Sequence, residues 1–265
     1  MLLVPPSLPP CIHLIACPPR AAEIHRVLIH PTSAPLEQKK AMGTEGAAIA
    51  RASGVAVALL TAATSATRVP FSDLPRVSYQ PSNIAFAIWW VIYALLFVSI
   101  QTLCGAVDDD AINLYVGFLI GALCMCTAWA LLASASYSRL APIAIGVATL
   151  LAAATIVAIP IQSHQPRTWL LGAGPGLLLG WLVVASGLAI GSVITQLHGD
   201  EPSQWVMLPG ALIAIVASLV SQNPFPQLAI LWGVIFSPRT RVAATLAVIA
   251  TIGLVGVAID VARGD

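Results

Sequence analysis

The stretch YQPSNIAFAIWWVIYALLFVSIQ, Tyr79–Gln101, decides the fold class, because it carries no charged residue and its aromatic residues recur at helical spacing. Phe86, Trp89 or Trp90, Tyr93 and Phe97 follow one another at steps of three and four, which an α-helix places along one face. Pro81 suits a first helical turn, and Ser82 or Asn83 can accept a hydrogen bond from a backbone N–H that has no partner inside the helix. These residues therefore predict the helix start. The segment is long enough to cross a bilayer. Aromatic rings ordered along one stripe gain little from lipid, whereas a helix lining a pocket gains flat, rigid surfaces and the polar tips of Trp and Tyr. The stripe is equally compatible with plain packing between helices, or with outer rings at the headgroup level.

The whole chain agrees with a membrane setting. Of its 265 residues 58% are apolar and 9% charged, and mean hydropathy is +0.90. A water-soluble domain of this size cannot bury that share. The expected fold is all-α, a polytopic membrane helical bundle of about eight apolar segments, seven or eight of them spanning, with the lipid bilayer as its main partner. Net charge is +1, which offers no case for binding nucleic acid. The cysteines Cys11, Cys17, Cys104, Cys124 and Cys126 show no metal-ligand spacing and read as small apolar residues.

Upstream of the aromatic stretch, a weakly hydrophobic span of small residues runs from Gly46 to Thr67 with Arg51 near its start. It reads as a first membrane helix or a signal peptide. Residues 1–45 are rich in proline and form an expected disordered tail or targeting segment, or an over-long start with the true one at Met42. The bundle is expected over 46–261.

Downstream, Asp108, Asp109 and Asp110 precede a third span, about Ala111 to Ala133, with the GxxxG pair Gly117 and Gly121. The aspartates read as solvated charges at a helix N-terminus. A fourth span covers about Leu140 to Ile161. The fifth, about Trp169 to Thr195, carries Gly172, Gly176, Gly180, Gly187 and Gly191 on one helical face, the expected place for two helices to meet at backbone distance. Such glycine-rich faces also suit a homodimer. Trp181 points about 100° from that stripe, and Leu179 is expected to face lipid. A sixth span runs from about Trp205 to Val220. The piece PFPQLAILWGVIFSP, from Pro224 to Pro238, is short for a straight span, and a last span covers about Val242 to Ile259. An even number of spans places both termini on one side, and the Lys and Arg residues near span ends show no bias to either side.

From the second span onward no ionisable residue falls mid-span, which argues against a proton or sodium pump. His164 and His198 flank the fifth span and cannot share a site. Cys124 and Cys126 diverge by about 200° on a helix and do not chelate one metal. There is no nucleophile with a base, no phosphate loop and no zinc spacing.

Pro81, Phe86, Ile88, Trp89 and Tyr93 match the P-A-G-Y-x-F-x-I-W-x-x-x-Y run that opens the second helix of the tryptophan-rich sensory protein or translocator protein (peripheral benzodiazepine receptor) family. The chain resembles the longer, divergent branch of that family. Trp129 resembles the tryptophan ending the next helix. Leu177, Gly180, Trp181, Val184 and Ala185 resemble an L-x-x-G-W-x-x-V-A run, and Leu231, Trp232 and Gly233 a late W-[AG] helix. The similarity covers roughly Gly46 to Ile259 and implies that the first span is a retained helix. Ser82, Asn83 and Ile84 depart from the family's small-Gly-aromatic triplet, Gly174 stands where proline is usual, and Cys126 and Ala189 stand where asparagines are usual.

The resemblance implies a pocket for a tetrapyrrole, a sterol or a synthetic ligand among the first five helices. The leading expectation is thus a receptor or carrier for an apolar, aromatic small molecule, with Phe86, Trp89, Tyr93, Trp129 and Trp181 as stacking surfaces and no cofactor beyond a tetrapyrrole ligand. The alternatives are a facilitative transporter with a broken seventh helix, a structural assembly partner that binds no ligand, and an enzyme acting on a tetrapyrrole. The resemblance to the divergent branch, in which the tryptophan stands three residues after the phenylalanine and not four as in the core family, implies that Trp89 faces the pocket, with Tyr93 on the same face, and that Trp90 faces a neighbour or lipid.

Overall fold

The computed structural model describes residues 35–66, 77, 80–104, 110–135, 139–161, 166–199, 204–238 and 241–263. The residues up to 34, the linker with Arg68, Asp73 and Arg76, the aspartates Asp108 and Asp109, and His164 lie outside them.

The described residues form eight α-helices in order: α1 (Pro35–Ala66), α2 (Ile88–Cys104), α3 (Asp110–Ser134), α4 (Ala141–Ala158), α5 (Pro166–His198), α6 (Leu208–Ser221), α7 (Phe225–Ile235) and α8 (Arg241–Arg263). No strand occurs among the described residues. Among the described residues six helices are long and apolar enough to cross a membrane, and α6 and α7, of 14 and 11 residues, are shorter. Helix α1 begins at Pro35, inside the stretch read from sequence as a tail, and its apolar span covers Gly46–Ser65.

Helix α5 is the axis of the bundle. It packs against α2, α4, α6 and α7, and its middle is buried nearly all round, Leu178, Leu179 and Leu182 being fully enclosed. Leu179 therefore faces protein and not lipid, contrary to the sequence reading, because neighbours surround α5 on every side.

The α5–α2 seam is antiparallel and closes in register. From one end to the other it joins Arg167 to the Thr102 carbonyl, the Leu170 carbonyl to the Ser99 hydroxyl, Gly174 to Leu95 and Leu96, and Trp181 to Phe86. A Cβ on Gly174 would stand 2.8 Å from the Leu96 amide nitrogen, so this approach is backbone to backbone.

On the opposite side of α5 lies the antiparallel hairpin α6–α7. Its turn is made by Gln222, in the left-handed conformation (φ 52°), and by buried Asn223. The Asn223 amide donates to the Gly172 carbonyl at 3.0 Å, and its side-chain oxygen accepts from the Phe225 N–H at 3.0 Å. Gly180 lies directly against the Pro226 carbonyl, where a Cβ would collide with it. Of the glycine stripe, Gly172, Gly176 and Gly180 thus meet the hairpin turn and α7, and Gly187 meets Met207 just before α6. The face is used within the chain. In α3 the GxxxG pair divides: Gly121 touches Leu151 of α4, whereas Gly117 has open space beside it.

Pro175 sits inside α5. Lacking an N–H, it leaves the Leu171 carbonyl without its intrahelical donor, a costly vacancy in an apolar interior. The hydroxyl of buried Tyr115, on α3, donates to that carbonyl at 2.9 Å. A second polar tie, Thr149 to Ser186 at 2.9 Å, joins α4 to α5.

Two predictions follow from this packing, both read as unfolding stability of the purified protein in detergent. Gly180→Ala should destabilise by about 1–3 kcal/mol, since the obstructing atom is backbone. Gly117→Ala should be neutral or stabilising by up to about 1 kcal/mol from helix propensity alone; equal effects at the two positions would remove the close-packing argument. Tyr115→Phe should cost about 1–3 kcal/mol by stranding the Leu171 carbonyl, and adding Pro175→Ala, which restores a backbone donor, should recover part of that loss. A strictly additive double mutant would show that the hydroxyl does not compensate for the proline.

Candidate aromatic cavity

The start of α2 is not the capped α-helix that Pro81, Ser82 and Asn83 led one to expect. Asn83–Ala87 form a 3-10 turn, and Ser82, extended at φ −62° and ψ 159°, makes no side-chain cap. Two bonds from the end of α7 hold this turn instead. The Ser82 N–H donates to the Phe236 carbonyl at 2.9 Å, and the Trp232 indole N–H donates to the Ala85 carbonyl at 2.9 Å.

Beside this turn lies a cavity of about 70 Å³ that is partly open. Phe86 from the 3-10 turn and Trp89 from the start of α2 form one wall, Trp129 comes from near the end of α3, and Trp181 from α5. Trp181 is the hub: Phe86 meets it edge to face at 5.5 Å and 87°, and Trp89 at 6.5 Å and 84°. Perpendicular rings of this kind hold one another in place and keep a gap that aliphatic side chains would fill. Trp181 is 1% exposed, and its indole nitrogen has no hydrogen-bond partner among the described residues.

Of the five residues singled out from sequence, Phe86, Trp89, Trp129 and Trp181 line the cavity, and Tyr93 does not. Tyr93 stacks on Trp89 at 5.4 Å and 28°, one helical turn deeper, and so supports the wall from behind. Trp90 is 65% exposed and points away. Phe97 also leaves the stripe and is exposed. Sequence reasoning missed the polar members of the lining, Gln80, Ser192 and Gln196. Gln80 precedes the helix and Gln196 lies near the end of α5, where either reads as a solvated residue. Ala189, one of the two asparagine replacements noted above, lines the cavity, while Cys126 is buried outside it. His198 closes α5, with Nδ1 3.3 Å from the Ile194 carbonyl. No cluster of metal-ligating side chains occurs among the described residues.

A family model described as TSPO-like protein matches residues 48–262, from within α1 almost to the end of α8. Comparison with curated proteins and with solved structures gives no match. Four-fifths of the chain falls under the family model, and the helices that carry it include six long enough to span. The chain belongs to the TSPO-like protein family and is an integral, multi-pass membrane protein of that kind.

Proposed function

We propose that this protein is a receptor or carrier for an apolar, aromatic small molecule of tetrapyrrole or sterol type, bound against Trp89, Trp129, Trp181 and Phe86. The observation that carries the reading is a cavity walled by four aromatic side chains in which the most buried one, Trp181, keeps an indole N–H without an acceptor among the described residues. Leaving such a donor unpaired costs about 1–3 kcal/mol. A ligand acceptor within reach of this N–H would recover that cost, while flat ligand surfaces would replace the edge-to-face contacts. Among the described residues the lining contains no Asp, Glu, Lys, Arg or His, which suits an uncharged ligand surface. Gln80, Ser192 and Gln196 offer hydrogen-bonding groups to its polar end. Ligand pockets commonly run to about 300–1,000 Å³, so a molecule of tetrapyrrole size enters by parting the rings at the open side.

Titration of the purified protein with a porphyrin and with a sterol, followed by tryptophan fluorescence, tests this reading directly. Saturable quenching is expected for at least one of them, and no saturable change with either would sink it. Trp89→Ala should then weaken binding by about 1–3 kcal/mol, as for other buried aromatic anchors, while Trp90→Ala leaves affinity unchanged. The reverse order would move the site to the outer face of α2. Trp181→Phe keeps an aromatic ring and removes the N–H. It should lower affinity by about 0.5–1.5 kcal/mol for a ligand with an acceptor and hardly at all for a hydrocarbon analogue; an equal loss for both would remove the hydrogen bond from the scheme.

A further inference from the structure

We propose that Trp232 is a positioning residue for the aromatic cavity, its indole N–H holding the start of α2 in the 3-10 form that sets Phe86 and Trp89 on one face. The consequence for ligand rests on the function proposed above, whereas the latch itself does not.

In a 3-10 turn residues three apart eclipse one another, while in an α-helix they fall about 60° short of a full turn. Phe86 belongs to the 3-10 turn Asn83–Ala87, and Trp89 follows in the first turn of α2. Both rings reach the same partner, Trp181, with nearly equal perpendicular angles. Rewinding this turn as α-helix would swing Phe86 around the axis relative to Trp89 and break that shared approach.

The Ala85 carbonyl is where the two forms differ. In the 3-10 form it accepts from the Ile88 N–H, as observed, and in the α form it would accept from Trp89. The Trp232 indole, 147 residues away in the chain, donates to the same oxygen at 2.9 Å. A carbonyl drawn toward a donor on α7 is poorly aimed at the amide four residues on. The Ser82 N–H, bonded to the Phe236 carbonyl, anchors the other end of the turn to the same helix end. Trp232 and Phe236 are in ring contact at 4.8 Å.

Helix α7 touches the second wall as well. A Cβ on Gly233, next to Trp232, would stand 3.1 Å from Val184 and 3.7 Å from Trp181 Cζ3. One short helix thus bears on the α2 wall through Trp232 and on the α5 wall through Gly233, and its placement sets the separation between Phe86 and Trp181.

The test uses the full chain in lipid nanodiscs with three variants. Trp232→Phe keeps a ring against Phe236 and removes the N–H. Ser82→Pro removes the second tie, and the φ of −62° there suits proline. Phe236→Leu removes the ring contact and spares both hydrogen bonds. Amide hydrogen exchange over residues 83–90 should speed up in Trp232→Phe and in Ser82→Pro but not in Phe236→Leu. Porphyrin affinity should fall about fivefold to tenfold in Trp232→Phe, as for the loss of one buried hydrogen bond. Unchanged exchange in both Trp232→Phe and Ser82→Pro overturns the latch, as does an equal rise in all three variants. Faster exchange in a protein whose wild type binds neither the porphyrin nor the sterol supports the latch and removes the ligand reading.

Discussion

The backbone of α5 lies within contact distance of other backbone on two sides at once: Gly174 against α2 and Gly180 against the first turn of α7. In an apolar bundle there is no hydrophobic gain in moving a helix from lipid to protein, so association relies on close packing and on the few polar ties available. Small residues on α5 permit both approaches, and the ties follow the same seams. Ser99 and Arg167 join α2 to α5, Asn223 joins the hairpin turn to α5, and Tyr115 from α3 repairs the carbonyl that Pro175 leaves open. Once α2 and α7 are seated on α5, the register of everything they carry is settled.

The cavity is a product of that seam changing character along its length. At Gly174 nothing separates α2 from α5, whereas about two turns farther along α5 the space between them is held by Trp181, Phe86 and Trp89. Rigid rings meeting at right angles cannot collapse into the remaining gap, and the ends of α3 and α4 complete the wall with Trp129, Ala133 and Ala141. Tyr93, stacked behind Trp89, limits how far that ring can retreat. The polar groups lie toward the helix ends, where Gln80 and Gln196 stand, so the lining passes from apolar to hydrogen-bonding along one direction.

The three helices after α5 are bound into the same structure. The family match includes them. The α6–α7 hairpin fills the glycine face of α5, and α8 packs against both of its arms. Buried Gln227 of α7 donates to Ser218 of α6 at 3.1 Å and lies against Gly253 of α8, so these helices share a polar contact of their own. Through Trp232 and Phe236 the hairpin also reaches the turn that opens α2, and in this way a late segment of the chain shapes a wall built from an early one.

The number and apolar character of the helices were legible in the sequence because the cost of placing charge or unpaired backbone in a bilayer is a property of each segment by itself. Which of Trp89 and Trp90 turns inward was not fixed by spacing, since steps of three and four from Phe86 suit a helical face equally and Phe86 itself lies in the 3-10 turn before α2. Enclosure was not legible. A leucine such as Leu179 looks alike whether lipid or protein surrounds it, and only the arrangement of α2, α4, α6 and α7 around α5 decided that it is buried. Nor was the 3-10 start of α2, since Pro81, Ser82 and Asn83 locally favour a capped α-helix, while the donors that fix the turn come from Trp232 and from Ser82 pairing with the end of α7. Tyr93 leaving the cavity, and Gln80, Ser192 and Gln196 joining it, likewise depend on how helices distant in sequence meet. The sequence by itself determined what each segment can tolerate around it, and the tertiary structure decided which neighbours it received, because close packing and single hydrogen bonds between helices depend on positions that no one segment encodes.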